Sequence, residues 1–191
     1  MKISLEKLHE FGGVVLNLAA NGMTELGLCL NEAIYQAKLC MDLQNTIFMG
    51  EEIRCKKEQV IPIKVMNIKN GEQEQLGNGH FFRLDVEFIN SNLKGGILEL
   101  KSMTTATSIK QEYQLRNYLN QREDLCWGMV VNYISEFSKK NGPRVEVTIY
   151  MKSGQYTMFN NIALTKFFPV KVISKRTYPD EEELFLSLIH I

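Results

Sequence analysis

Five ionisable side chains, Asp85, Glu99 and Lys101 among them, stand in two short alternating runs, Arg83-Leu84-Asp85-Val86-Glu87-Phe88 and Ile97-Leu98-Glu99-Leu100-Lys101, joined by a turn between Asn90 and Gly96. Leu84, Val86 and Phe88 alternate with Asp85 and Glu87, and Leu98 and Leu100 alternate with Glu99 and Lys101, so each run predicts a strand with one apolar and one charged face. Folding the second strand back about Asn92 sets Asp85 opposite Glu99. Their Cβ atoms are then about 4.5–5.5 Å apart, a spacing at which like charges destabilise a sheet. A hard cation such as Mg²⁺ or Mn²⁺, taking oxygen ligands at about 2.0–2.1 Å, would turn that repulsion into a site. Lys101 projects from the same face as Glu99 and adds a positive charge beside it.

Several elements must carry these groups. Ser4 can cap a helix whose apolar positions are Leu5, Leu8, Phe11, Val15 and Leu18, with Asn21-Gly22 expected to end it. Thr24 can cap a second helix that buries Leu26, Leu30, Ile34, Ala37 and Met41, with Glu25 in its first turn where a carboxylate suits the helix dipole. A short strand is expected around Thr46 to Met49, and a longer one over Val60 to Ile68 with Pro62 marking an edge or bulge. A polar loop from Asn70 to Gly79 leads into the Asp85 strand, which makes a three-stranded meander with the Glu99 strand last. A helix follows from about Thr107 to Gln121, in which Gln114 and Tyr118 share a face. The β-branched and aromatic run Trp127 to Ile134 predicts a buried strand. Arg144 to Met151 alternates, Ser153-Gly154 turns it into Tyr156 to Phe159, and Val170 to Ile173 is a further candidate strand.

Charge is unevenly placed along this framework. Lys+Arg and Asp+Glu both number 22, which excludes a uniformly basic nucleic-acid binder. Residues 139–179, however, carry 8 basic side chains and 1 acidic one. Lys139, Lys140, Arg144, Lys152, Lys171, Lys175 and Arg176 are interleaved there with aromatic residues, a mixture suited to phosphates and stacked bases. Alternating strands that keep lysines in water would give the same pattern. Cys29, Cys40, Cys55 and Cys126 lack zinc-ligand spacing and read as reduced thiols. No apolar run approaches the roughly 20 residues that span a membrane. The expectation is therefore a cytoplasmic protein, or a nuclear one in a eukaryotic source. The last six residues, Leu186 to Ile191, are what the mosaic end of transposon-based sequencing libraries encodes, and are expected to be adapter read-through rather than native chain.

Taken in order, these pieces resemble the PD-(D/E)xK nuclease superfamily, and more narrowly its GxxExxY branch, which is similar to RecB- and Cas4-type nucleases. Gly22-Met23-Thr24-Glu25 matches GxxE, with Leu28 where the motif has tyrosine; Phe82-Arg83-Leu84-Asp85 looks like the aspartate strand and Leu98-Glu99-Leu100-Lys101 the ExK strand. Gln114-Leu115-Arg116-Asn117-Tyr118-Leu119 resembles the QxxNYL helix, and Gly128 to Tyr133 the glycine-led strand after it. The resemblance implies a restriction-endonuclease-like α+β fold. Two N-terminal helices, the meander, a helix and a further strand would form a core over residues 1–138, and a basic, β-rich extension would occupy 139–185. It also implies a Mg²⁺- or Mn²⁺-dependent nuclease acting on DNA in preference to RNA, with a homodimer allowed. Asp85, Glu99 and Glu25 would hold the metal, Lys101 would orient the nucleophile or offset charge on phosphorus, and Gln114 and Tyr118 would border the site. The competing expectation is a catalytically inactive nucleic-acid-binding or protein-interaction module on the same fold.

Overall fold

The computed structural model describes residues 3–28, 31–62, 65–69, 72–76, 81–103, 109–135, 142–153 and 158–167. Its first helix, α1 (Leu5–Leu26), begins where expected, with the Ser4 side chain accepting the Lys7 amide at 3.2 Å. It does not stop at Asn21-Gly22. Thr24 donates its hydroxyl to the Ala20 carbonyl inside the helix instead of capping a new one. Gly22 is buried because α2 passes close: a Cβ there would lie 3.2 Å from Lys38 Cγ. Gly27, at φ 79°, is the residue that ends α1.

The second helix, α2 (Glu32–Gln44), is capped by Asn31, whose side chain accepts the Ala33 amide. Its inward stripe is Tyr35, Gln36, Leu39, Cys40 and Leu43, while Ile34 and Met41, expected inside, are exposed. Ala37 is exposed with them, so the predicted face is nearly opposite the buried one: Tyr35, Leu39 and Leu43, not Ile34, Ala37 and Met41, recur along the side that meets the sheet.

A small hairpin of β1 (Ile47–Phe48) and β2 (Glu51–Glu52) leads to the main sheet. The expected strand over Val60–Ile68 is divided. Its first part belongs to β3 (Cys55–Pro62), which pairs with the Asp85 strand, and its second is β4 (Val65–Lys69), hairpinned to β5 (Glu72–Leu76). The predicted polar loop thus contains a strand, whose Glu/Gln composition gives no apolar alternation to read. The main sheet is completed by β6 (Phe81–Phe88), β7 (Gly96–Met103), β8 (Trp127–Ile134), β9 (Arg144–Ser153) and β10 (Met158–Phe167), in the order β10-β9-β8-β7-β6-β3. Among the described strands only β7 and β8 run parallel, with α3 (Ile109–Gln121) as their crossover.

Neighbouring residues of β7 separate the two faces of the sheet. Leu98 and Leu100 pack with α1 and α2 through Phe11, Val15, Tyr35, Leu39, Trp127 and Val131. Ile97 packs with α3 through Leu115, Tyr118, Leu119, Val130 and Tyr150. Residue 138, the expected edge of the core, falls between β8 and β9, which are hydrogen-bonded neighbours, so the strands through Phe167 extend one sheet. The expected strand at Val170–Ile173 and the read-through at 186–191 lie outside the described residues. No described helix is long and apolar enough to cross a membrane.

Candidate metal and nuclease site

The site forms where a strand ladder opens. The β6–β7 pairing runs Glu87↔Ile97 and Val86↔Leu98 and then stops. That register turns about Asn92, so Asp85 and Glu99 are the next opposed residues, at the first position the ladder leaves unpaired. Asp85 fills the gap with its own atoms: Oδ2 accepts the Leu100 amide at 2.6 Å, and its carbonyl accepts Gln36 Nε2 at 2.9 Å from α2. Gln36 also reaches Asp85 Oδ1 at 3.3 Å. Backbone groups that a sheet would pair are thus met by side chains, as buried peptide groups require. Leu84 joins the α3-side cluster while Val86 and Phe88 stay on the α1/α2 side. The single apolar face expected for this strand therefore changes sides at Asp85.

Glu99 is 1% exposed, on the α3 side of β7. Lys101 Nζ stands 2.8 Å from Glu99 Oε1, yet the approach is that of an ion pair rather than an aligned hydrogen bond, and neither carboxylate oxygen has a hydrogen-bond donor among the described residues. Burial first, and the Asp85 charge second, push the Glu99 carboxyl up to about 8 against the pull of Lys101. Burial works against the Lys101 ammonium, but Glu99, Glu32 and Asp85 outweigh it and push its pKa up to about 12. Two acids and one permanent cation therefore share a poorly solvated space.

Those donors fit a hard divalent ion. Asp85 and Glu99 offer oxygen only, and the Glu99 oxygens are buried without donors, which is a costly arrangement unless something positive binds there. Mg²⁺ commonly takes one or two carboxylates and keeps several waters. No group of three His, Cys, Asp or Glu side chains among the described residues is close enough to hold an ion, so the expected Asp85, Glu99 and Glu25 set is not assembled.

On α3, Gln114 Nε2 donates to the Tyr118 hydroxyl at 2.6 Å, so the predicted i, i+4 pair is in contact. The Tyr118 phenol is pushed up to about 12 by burial and then by Glu99, with Asp85 adding to the effect. Tyr118 therefore lies within electrostatic reach of both acids.

Glu25 is placed elsewhere. It lies in the last turn of α1 with its carboxylate on Lys38 at 2.8 Å, and its side chain is 58% exposed. The helix acid beside the site is Glu32, in the first turn of α2, 3.3 Å from Lys101 Nζ. The sequence pattern places the helix cap at Thr24 rather than Asn31 and so leaves Glu32 out of the expected site. The available signal was Glu32-Ala33-Ile34-Tyr35, which supplies the tyrosine that Leu28 does not. Tyr35 is buried, donates to the Gly27 carbonyl at 2.7 Å and stacks on Tyr133 with centroids 4.1 Å apart, fixing the helix that carries Glu32 and Gln36.

The basic residues divide by position. Arg144 is buried, with Nε 2.6 Å from Glu146 Oε1. Lys152 donates to the Leu119 carbonyl at 2.9 Å, serving the C-terminal end of α3. Both have partners within the fold. Lys139, Lys140, Lys171, Lys175 and Arg176 lie outside the described residues.

No curated protein and no solved structure matches the chain. A family model described as the PD-(D/E)XK nuclease superfamily matches residues 9–145, which takes in α1 from His9 onward, α2, the opened β6–β7 ladder, α3 and β8. With its α+β sheet and an Asp85, Glu99-x-Lys101 constellation at the break in that sheet, the chain belongs to the PD-(D/E)XK nuclease superfamily.

Proposed function

We propose that this protein is a divalent-metal-dependent nuclease that hydrolyses phosphodiester bonds, with DNA its substrate ahead of RNA. The observation that carries this reading is the opened ladder, which exposes two opposed carboxylates to one another and sets Lys101 between Glu99 and Glu32. Asp85 and Glu99 would hold Mg²⁺ or Mn²⁺. Such an ion activates water and offsets phosphate charge when bound. Asp85 is fixed by the Leu100 amide and by Gln36, so its carboxylate keeps one orientation without the ion. Lys101, held charged by its acidic neighbours, places a cation where negative charge grows on the phosphoryl oxygens as the nucleophile attacks. Gln114 fixes the Tyr118 hydroxyl at the rim of the same space.

Glu32, rather than Glu25, is the helix acid at the site in this reading: it steadies Lys101 from α2 and is not a ligand of the ion. We read Glu32-Ala33-Ile34-Tyr35 as the Glu-x-x-Tyr part of a GxxExxY motif, with Cys29 where that motif has glycine. Incubating single- and double-stranded DNA and RNA with Mg²⁺ or Mn²⁺ tests the proposal. Wild type should cut at least one of these, while Asp85→Ala and Lys101→Ala should not. Equal cutting by all three, or none by any in either metal, would overturn it and favour a non-catalytic module.

A further inference from the structure

On the same face of the sheet as the site lies a polar side chain that the proposed mechanism leaves without work. Asn132 is 2% exposed, and its Oδ1 has no hydrogen-bond partner among the described residues. The flanking Val131 and Tyr133 pack toward α1 and α2, whereas Val130 packs toward α3, so Asn132 also faces α3. In the parallel β7–β8 ladder its partner is Lys101, and Val130 is the partner of Glu99. Neighbouring strands stand about 4.8 Å apart, which puts the amide directly beside the Lys101 stem. Across β9 its partner is Glu146, which is occupied by Arg144. A buried acceptor left unmet costs about 1–3 kcal/mol, so its retention calls for a donor that arrives from outside.

The chemistry narrows that donor. Phosphate oxygens of a nucleic-acid backbone only accept, so they are excluded. Lys101 already serves Glu99 and Glu32. Water is the one donor that every phosphodiester hydrolysis must bring to this place. We propose that Asn132 is a positioning residue for hydrolysis, its amide oxygen accepting a hydrogen bond from the attacking water so that a lone pair of that water points at phosphorus. This rests on the nuclease reading above. The water oxygen forms the new bond to phosphorus and the bond from phosphorus to the leaving sugar oxygen breaks. The water gives up its proton to solvent, the leaving oxygen takes one from solvent, and Asn132 itself gains and loses none.

Asn132→Leu, of similar shape and without an acceptor, tests this beside Asn132→Asp, which keeps an oxygen acceptor at the same place. Steady-state cleavage is measured with Mg²⁺, and thermal melts without it. Asn132→Leu should lower kcat about 100-fold with KM within about twofold, while its metal-free Tm stays level or rises because an unmet acceptor is gone. Asn132→Asp should cut at least about tenfold faster than Asn132→Leu. Undiminished kcat in Asn132→Leu overturns the inference and leaves the nuclease reading intact. A Tm that falls together with kcat, with no recovery in Asn132→Asp, also overturns it, since Asn132 would then be only structural. Should Asn132→Leu fail to fold, Asn132→Asp and Asn132→Ala decide by the same comparison. A wild type that cuts nothing overturns the nuclease reading, and this inference falls with it.

Discussion

The two sides of β7 are built by opposite means. Toward β8 the ladder is unbroken from Gly96↔Trp127 to Met103↔Ile134, and every residue of β8 is buried. Toward β6 it holds for two residue pairs and then yields to Asp85, Gln36 and the charges around Lys101. A regular ladder satisfies its own backbone and leaves side chains to pack. An opened one must satisfy its backbone with side chains, which brings carboxylates into a buried gap and makes chemistry available there. The first side supplies rigidity, and the second uses it.

That contrast can be broken from either side. Removing Asp85 or Lys101 should have the largest effect, a loss of about 1,000-fold or more in cleavage rate, measured with Mg²⁺ on the substrate that wild type cuts best. On the laddered side, Gly96→Ala should act on stability. Its Cβ would lie 1.9 Å from the Trp127 ring, which packs against both Phe11 and Phe88, and such overpacking costs about 1–3 kcal/mol or more. A calorimetric Tm about 5 °C or more below wild type is expected, at a loss of about 2–4 °C per kcal/mol.

Glu99→Gln should move the other way. The native carboxyl is raised to about 8 from a normal value of 4.5, so the folded state holds its proton more tightly than the unfolded chain. Stability from that group is whole below about pH 4.5 and is lost as pH rises toward 8. In metal-free melts, Glu99→Gln should therefore match wild type near pH 4.5 and gain on it progressively up to pH 8. The gain should be on the order of 4 kcal/mol by pH 8, while cleavage is lost. The smallest effect is expected at Lys152→Ala, which removes a hydrogen bond from the end of α3 and should lower stability by about 1 kcal/mol by urea titration.

The fold class and the opposition of Asp85 to Glu99 were more legible than the helix limits and the end of the ladder. Alternation around a turn centred on Asn92 was enough to oppose Asp85 and Glu99, because side-chain period and register are nearly all that a hairpin needs. Gln114 and Tyr118 were readable for the same reason, one helical turn apart. Helix limits were not, because Gly22 and Thr24 look like punctuation while one is a close-packing position and the other bonds back to its own helix. The end of the β6–β7 ladder was also hidden. It depends on Gln36, which no local pattern links to Asp85 some fifty residues away. Glu32 was missed through that same helix boundary.

Glu25 and Glu32 therefore give the most direct measurement, since one satisfies the early motif and the other touches Lys101. Cleavage with Mg²⁺ should be compared for wild type, Glu32→Gln and Glu25→Gln on one substrate. The account predicts that wild type and Glu25→Gln cut within about twofold of one another, and that Glu32→Gln is slower by about tenfold or more. Loss of cutting in Glu25→Gln with Glu32→Gln unimpaired, or no cutting by wild type, would contradict it.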